Sequence, residues 1–157
     1  HPKTLQPLQQ KKIPFFVKSF IHPEKQGTKI GICDENQRKE SYILKENQTL
    51  MNIATRDFSF IAEDHMSYIF GQLAKYRIKV SLMQNSAISL ALCLEDKFDN
   101  IEKLNQELEQ NFNTKIQKNV SLFTVRNADL DKLENIYKAK NVLLEQITKT
   151  TIQMVIN

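Results

Sequence analysis

The chain has 157 residues, 41% of them apolar and 25% charged, the balance of a folded protein with a packed core and not of a disordered one. Its 22 Lys and Arg are scattered among 18 Asp and Glu, for a net charge of +4 with no basic block, which argues against nucleic-acid binding. No run approaches the roughly 18 apolar residues of a membrane span, and HPKTLQPLQQKK has no apolar core of a secretory signal, so a cytoplasmic protein is expected.

Thr4 to Lys11 suits a short helix, and Ile13 to Ser19 (IPFFVKS) an aromatic, β-branched strand. Pro23, Gly27 and the polar stretch Asp34 to Glu40 read as turns and loop, between short strands at Thr28 to Cys33 and Tyr42 to Lys45. Cys33 and Cys93 lie sixty residues apart without a CxxC pair or a nearby His cluster, so no zinc site or disulfide framework is indicated.

From Gln48 to Lys118 the order is strand, helix, strand, strand, helix, strand. Gln48 to Ala54 is a mostly apolar strand, followed by the loop TRDFSF. In Glu63 to Tyr76 the residues Met66, Ile69, Phe70, Leu73 and Ala74 draw one apolar stripe. Glu63 and Asp64 at its start and Lys75 and Arg77 at its end complement the helix dipole. Ile78 to Met83 and Ala87 to Leu94 read as a hairpin connected by Gln84, Asn85 and Ser86. In the second arm Ile88, Leu90, Leu92 and Leu94 point one way while the small residues Ala87, Ser89, Ala91 and Cys93 point the other. A helix from Asp99 to Asn111, with Ile101, Leu104 and Leu108 on one face, and a strand from Thr114 to Lys118 close the unit. Antiparallel strands with both helices on one face make an α+β sandwich of the ferredoxin-like kind.

The remainder repeats the order only partly: a strand at Val120 to Arg126, a helix from Asp129 to Ala139, and strands at Val142 to Ile147 and Thr150 to Ile156. Val142 to Ile147 reads equally as a continuation of that helix. This second module is one helix and one strand short, and the front of the chain can supply them, which would insert the first module into the second.

The opening HPKTLQP, then IPFFVKSF and HPEKQGTKI, resembles the segment that joins the kinase domain of aspartate kinases to their regulatory region. TRDFSFIAEDHMSYIFGQLAKYRIKVSLMQNSAISLALCLED is similar to the first ACT module of that family, and the resemblance extends over essentially the whole chain. It implies two ACT modules of βαββαβ topology, the first inserted into the second: residues 1–47 as connector, 48–118 as first module and 119–157 as the remainder of the second. It also implies an enzyme that phosphorylates the side-chain carboxylate of aspartate with ATP and Mg, bound in a catalytic domain lying upstream of His1. The residues agree that this stretch carries no catalysis. Its only glycines are Gly27, Gly31 and Gly71, in no phosphate-cradling motif.

By the resemblance, the effector is a free amino acid, lysine or threonine or both, held across a homodimer where the first strand-to-helix loop faces the end of the second strand. On this chain that selects Ser59, Phe60, Ala62, Glu63, Asp64, His65, Met66, Ser81, Gln84, Asn85 and Ser86. Amides at the start of the helix suit a carboxylate, and Glu63 or Asp64 suits an ammonium group. Taken singly, Ser59 and Asp64 serve as well to cap the helix, and Gln84 to Ser86 to turn the hairpin. Lysine-sensing members tend to carry an acid where this chain has Ser81, and many ACT loops a glycine where it has Ser59. The alternative reading is a dimerisation module that binds no ligand.

Overall fold

The computed structural model describes residues 2–31, 39–57, 59–128 and 141–157, and the chain forms two compact units, His1–Lys39 and Glu40–Asn157. The first holds helix α1 (Pro2–Gln10) and strands β1 (Phe15–Val17) and β2 (Thr28–Ile30), paired antiparallel with Phe15 opposite Ile30. Gly27 precedes β2 at φ +72, and a Cβ there would collide with the Val17 carbonyl, so only glycine fits this approach.

The second unit runs β3 (Ser41–Thr55), α2 (Glu63–Lys75), β4 (Lys79–Asn85), β5 (Ser89–Glu95), α3 (Ile101–Leu108), β6 (Phe112–Arg126), β7 (Val142–Ile147) and β8 (Thr151–Ile156). Its strands form one antiparallel sheet in the order β4-β5-β3-β6-β8-β7. The path β3-α2-β4-β5-α3-β6 over the order β4-β5-β3-β6 is the ferredoxin-like βαββαβ arrangement read from the sequence. The segment Val142–Ile147 is a strand, which decides the alternative left open above. The helix expected at Asp129 to Ala139 lies outside the described residues.

Two pairs of expected strands are continuous. Tyr42 to Lys45 joins Gln48 to Ala54 in β3, and Thr114 to Lys118 joins Val120 to Arg126 in β6. The register slips between Lys45 and Gln48 and again between Gln48 and Leu50, where Asn47 (φ 55) and Asn119 (φ 58) take the left-handed conformation that asparagine tolerates. The polar residues that look like loop in the sequence are therefore bulges. Beyond them the two strands continue as a second half-sheet, in which Ser41–Lys45 flanks β6 on the side away from β8.

The main core lies between the sheet and both helices. Met51, Ile53, Leu90, Leu92 and Leu94 face Ile69 and Leu73 of α2 and Leu104 and Leu108 of α3, all buried. Each such Leu or Ile contributes about 1.5–3 kcal/mol relative to exposure. The bulge in β6 reverses its alternation, so Phe112 and Ile116 face this core whereas Val120 and Leu122 turn to a cluster on the opposite face with Leu50, Leu82, Cys93 and Val155. Val125, Ile152 and Met154 form a third cluster in the second half-sheet.

Helix α2 ends in a Schellman motif: the Ile78 amide donates to the Leu73 carbonyl at 3.0 Å and the Arg77 amide to that of Ala74 at 3.1 Å. This turn sends the chain directly into β4. Helix α3 is started by Asp96, whose carboxylate accepts from the amides of Phe98 (3.1 Å) and Ile101 (2.7 Å).

Candidate functional site

Helix α2 begins without a side-chain cap. Its N-cap is Ala62, which has no acceptor, so the first-turn amides lack the partner that a Ser, Thr or Asp would supply. Among the described residues the reciprocal contact comes from His65, whose Nδ1 accepts from the Ala62 amide at 3.3 Å. Ser59 does not cap the helix. Its amide donates to Asp57 Oδ1 (3.0 Å) and its carbonyl accepts from Thr55 Oγ1 (2.7 Å), bonds that shape the loop. The Ser59 hydroxyl first, then its amide, holds the Asp57 carboxyl below the usual carboxylate range.

This loop is bound to the tip of the β4–β5 hairpin by the Ile61 amide, which donates to the Ala87 carbonyl at 2.9 Å. The strand-to-helix loop and the end of the second strand therefore meet. Between them lies an open groove of about 410 Å³ lined by Ala62, Glu63, Met66, Phe70 and Asn85. Ser59, Asp64 and His65 line a separate recess of about 520 Å³ with Arg56, Tyr68 and Phe112. There the His65 ring meets Phe112 edge-on at 5.5 Å, and the Arg56 guanidinium donates to the Glu109 carbonyl at the end of α3. Phe60 is 71% exposed on the loop; Phe58 lies outside the described residues.

The hairpin connection differs from the sequence reading. Gln84 and Asn85 are strand residues opposite Ala91 and Leu90, and the turn is Ser86 to Ile88. Ser86 closes it, its amide donating to the Ser89 carbonyl at 2.8 Å and its hydroxyl meeting Ser89 Oγ at 2.6 Å. Ser86 is thereby committed to the turn, while Asn85 keeps its place on the groove.

Ser81 sits elsewhere. Its hydroxyl accepts from Lys45 Nζ (2.9 Å) and donates to Gln48 Oε1 (2.9 Å), both on β3, and Lys45 also bonds Glu95 Oε2 at 2.5 Å. Glu95 takes a second cation, Lys97, at 3.2 Å, and the Lys45 bond first, then that of Lys97, holds its carboxyl below the usual range. The register shift between Val80 and Leu82 brings Ser81 to this cluster. A glutamine opening a mostly apolar strand, Gln48, was the available sequence signal for it; Gln48 is buried.

No family model matches the chain. It is 33% identical over 102 residues to the lysine-sensitive aspartokinase 3 of Escherichia coli, a match that takes in 60% of this chain and 21% of that protein. The chain thus spans about a fifth of that relative's length. Among solved structures, aspartokinase III of E. coli in complex with lysine and aspartate superposes with a TM-score of 0.76 at 23% identity, covering 99% of this chain and 38% of that one. The chain is homologous to the regulatory region of aspartate kinases. The aspartate kinase of Clostridium acetobutylicum matches in fold with a TM-score of 0.79 at 16% identity, covering 100% of this chain and 41% of that one. The regulatory subunit of the Thermus flavus aspartate kinase matches with a TM-score of 0.53 at 11% identity, covering 73% of this chain and 86% of that subunit. The ACT fold of aspartate kinase regulatory regions is thus the fold of the β3–β6 sheet and its helices.

Proposed function

We propose that this chain senses a free amino acid for an aspartate kinase, the enzyme that transfers a phosphoryl group from ATP, with Mg, to the side-chain carboxylate of L-aspartate. The chain itself performs no chemistry. The observation that carries this reading is the uncapped start of α2 facing Asn85 across the groove. The amides of Glu63 and Asp64 suit the ligand's carboxylate, the Glu63 side chain its ammonium group, and Met66 and Phe70 the body of its side chain. The aspartokinase III matched above is in complex with lysine, and lysine or threonine is the effector proposed here.

Beside the groove, β4 is an edge strand of the sheet, with Phe60, Met83 and Ile88 each at least 40% exposed around it. Such an edge suits a second copy, which would close the groove and make a homodimer. Binding that differs between two arrangements of that dimer shifts the attached kinase domains toward one of them, which is feedback regulation.

Calorimetry with lysine, threonine and methionine tests this, and a folded dimer that gives no heat with any of them overturns it. The same β4 edge favours one other reading, subunit adhesion alone. In that case Met83→Lys yields monomers, whereas Asn85→Ala leaves amino-acid inhibition of the kinase unchanged.

A further inference from the structure

The recess of about 520 Å³ beside the groove carries charges and polar groups that the fold leaves unused. Arg56 gives one N–H to the Glu109 carbonyl and has no ion-pair partner among the described residues, so most of its donors are free. Asp64, in the first turn of α2, has neither a hydrogen bond nor a cation among them. The Tyr68 hydroxyl and the side-chain amide of Asn111 likewise have no partner there. Asp57, the other acid of the lining, is committed to the loop through Ser59.

Arg56 and Asp64 thus line one recess with opposite charges that do not pair with each other. Among the described residues no three His, Cys, Asp or Glu side chains gather closely enough for a metal ion. One free cation and one free carboxylate suit an organic zwitterion, whose two charges would each find a hydrogen-bonding counter-charge. The rest of the wall is aromatic. His65 and Tyr68 are half-buried and rest on the buried Phe112, edge-on at 5.5 Å and tilted at 6.3 Å. Rings held in this way offer apolar surface to a further ring with little ordering left to do on binding.

We propose that this recess binds a second free amino acid, one with an aromatic side chain. Its carboxylate lies on Arg56 and the Asn111 amide, its ammonium group on Asp64 and the Tyr68 hydroxyl, and its ring against His65 and Tyr68. The site is distinct from the groove that Asn85 lines and does not depend on what binds there.

Calorimetry and proton NMR of the 157-residue chain with phenylalanine and with tyrosine provide the test. At least one of them should bind at millimolar concentration or below and shift the ring protons of His65, whose signals are identified by their loss in His65→Gln; glutamine at this position can keep the reciprocal bond to the N-cap. Arg56→Met and Asp64→Asn, both at exposed positions, should each leave the melting temperature unchanged and weaken that binding at least about 10-fold. Asn85→Ala should leave it intact. Absence of binding by both aromatic amino acids overturns the proposal, as does binding that survives Arg56→Met and Asp64→Asn or that disappears in Asn85→Ala. Heat from lysine or threonine that is lost in Asn85→Ala belongs to the groove, so the two sites stand or fall separately.

Discussion

The Ile61 amide donates to the Ala87 carbonyl, 2.9 Å away, and this backbone bond joins the loop before α2 to the tip of the β4–β5 hairpin. The two segments are 26 positions apart in the chain, and their meeting creates the groove. Because the bond is backbone to backbone, it constrains the groove's shape without consuming any side chain that a ligand would need.

Giving α2 the cap it lacks should separate stability from binding. Ala62→Ser supplies an acceptor to the first-turn amides and should stabilise the protein by about 1 kcal/mol. The same hydroxyl competes with a ligand carboxylate for those amides, so amino-acid affinity should fall. Thermal melting and calorimetry on one preparation check both signs, and a gain in affinity would contradict the proposed role of the helix start.

The thiol of Cys93 should be inert in the folded protein. Burial pushes its pKa up to about 11, against a smaller downward pull from Lys45, so at pH 8 about one molecule in a thousand carries the thiolate. In a Cys33→Ser background, reaction with an aromatic disulfide reagent should be at least about 100-fold slower in buffer than in strong denaturant. Fast reaction of the folded protein would mean that the Leu50, Leu82 and Cys93 cluster opens readily.

Asn119, at φ 58, should tolerate glycine and reject β-branched residues. Asn119→Val forces a branched side chain into the left-handed region and should cost about 1–2 kcal/mol, whereas Asn119→Gly should be near neutral. Urea unfolding midpoints measure the difference. Equal midpoints would place the bulge elsewhere than in this backbone geometry.

Acid should weaken the protein through Glu95. The bond from Lys45, then that from Lys97, depresses its folded-state pKa, so the ionised form is the one that folding favours. That contribution is complete above the ordinary glutamate value of about 4.3 and is lost as the pH falls through the lower folded value. In Lys45→Met the main cause is gone, so the loss of urea stability from about pH 5 to pH 3 should be shallower than in the unaltered chain. Parallel acid limbs in the two proteins would show that Lys45 does not hold the carboxylate.

The first module was readable because its signals are local. The stripe Met66, Ile69, Phe70 and Leu73 places α2 to within a residue, and the alternation Leu90, Leu92 and Leu94 places the buried face of β5. The bulged strands were not, because Asn47 and Asn119 carry the residue type of a loop, and only partners on both sides keep such residues in a sheet. The candidate residues divided for a similar reason. Ala62, Glu63, Met66 and Asn85 converge on one groove, whereas Ser59, Asp64 and His65 line the neighbouring recess. The one-residue slip in β4 carries Ser81 to Lys45 and Gln48.

By itself the sequence determined the α+β class, the order of elements in the first module and the absence of a phosphate-cradling glycine motif, since each depends on residue type and short spacing. The tertiary structure alone decided that β3 and β6 run through both half-sheets, that Ser81 belongs to a polar cluster with Lys45 and Glu95, and that the start of α2 faces Asn85. These depend on hydrogen bonds and packing between residues 26 to 85 positions apart, and no local pattern encodes which distant partner a strand or loop will meet.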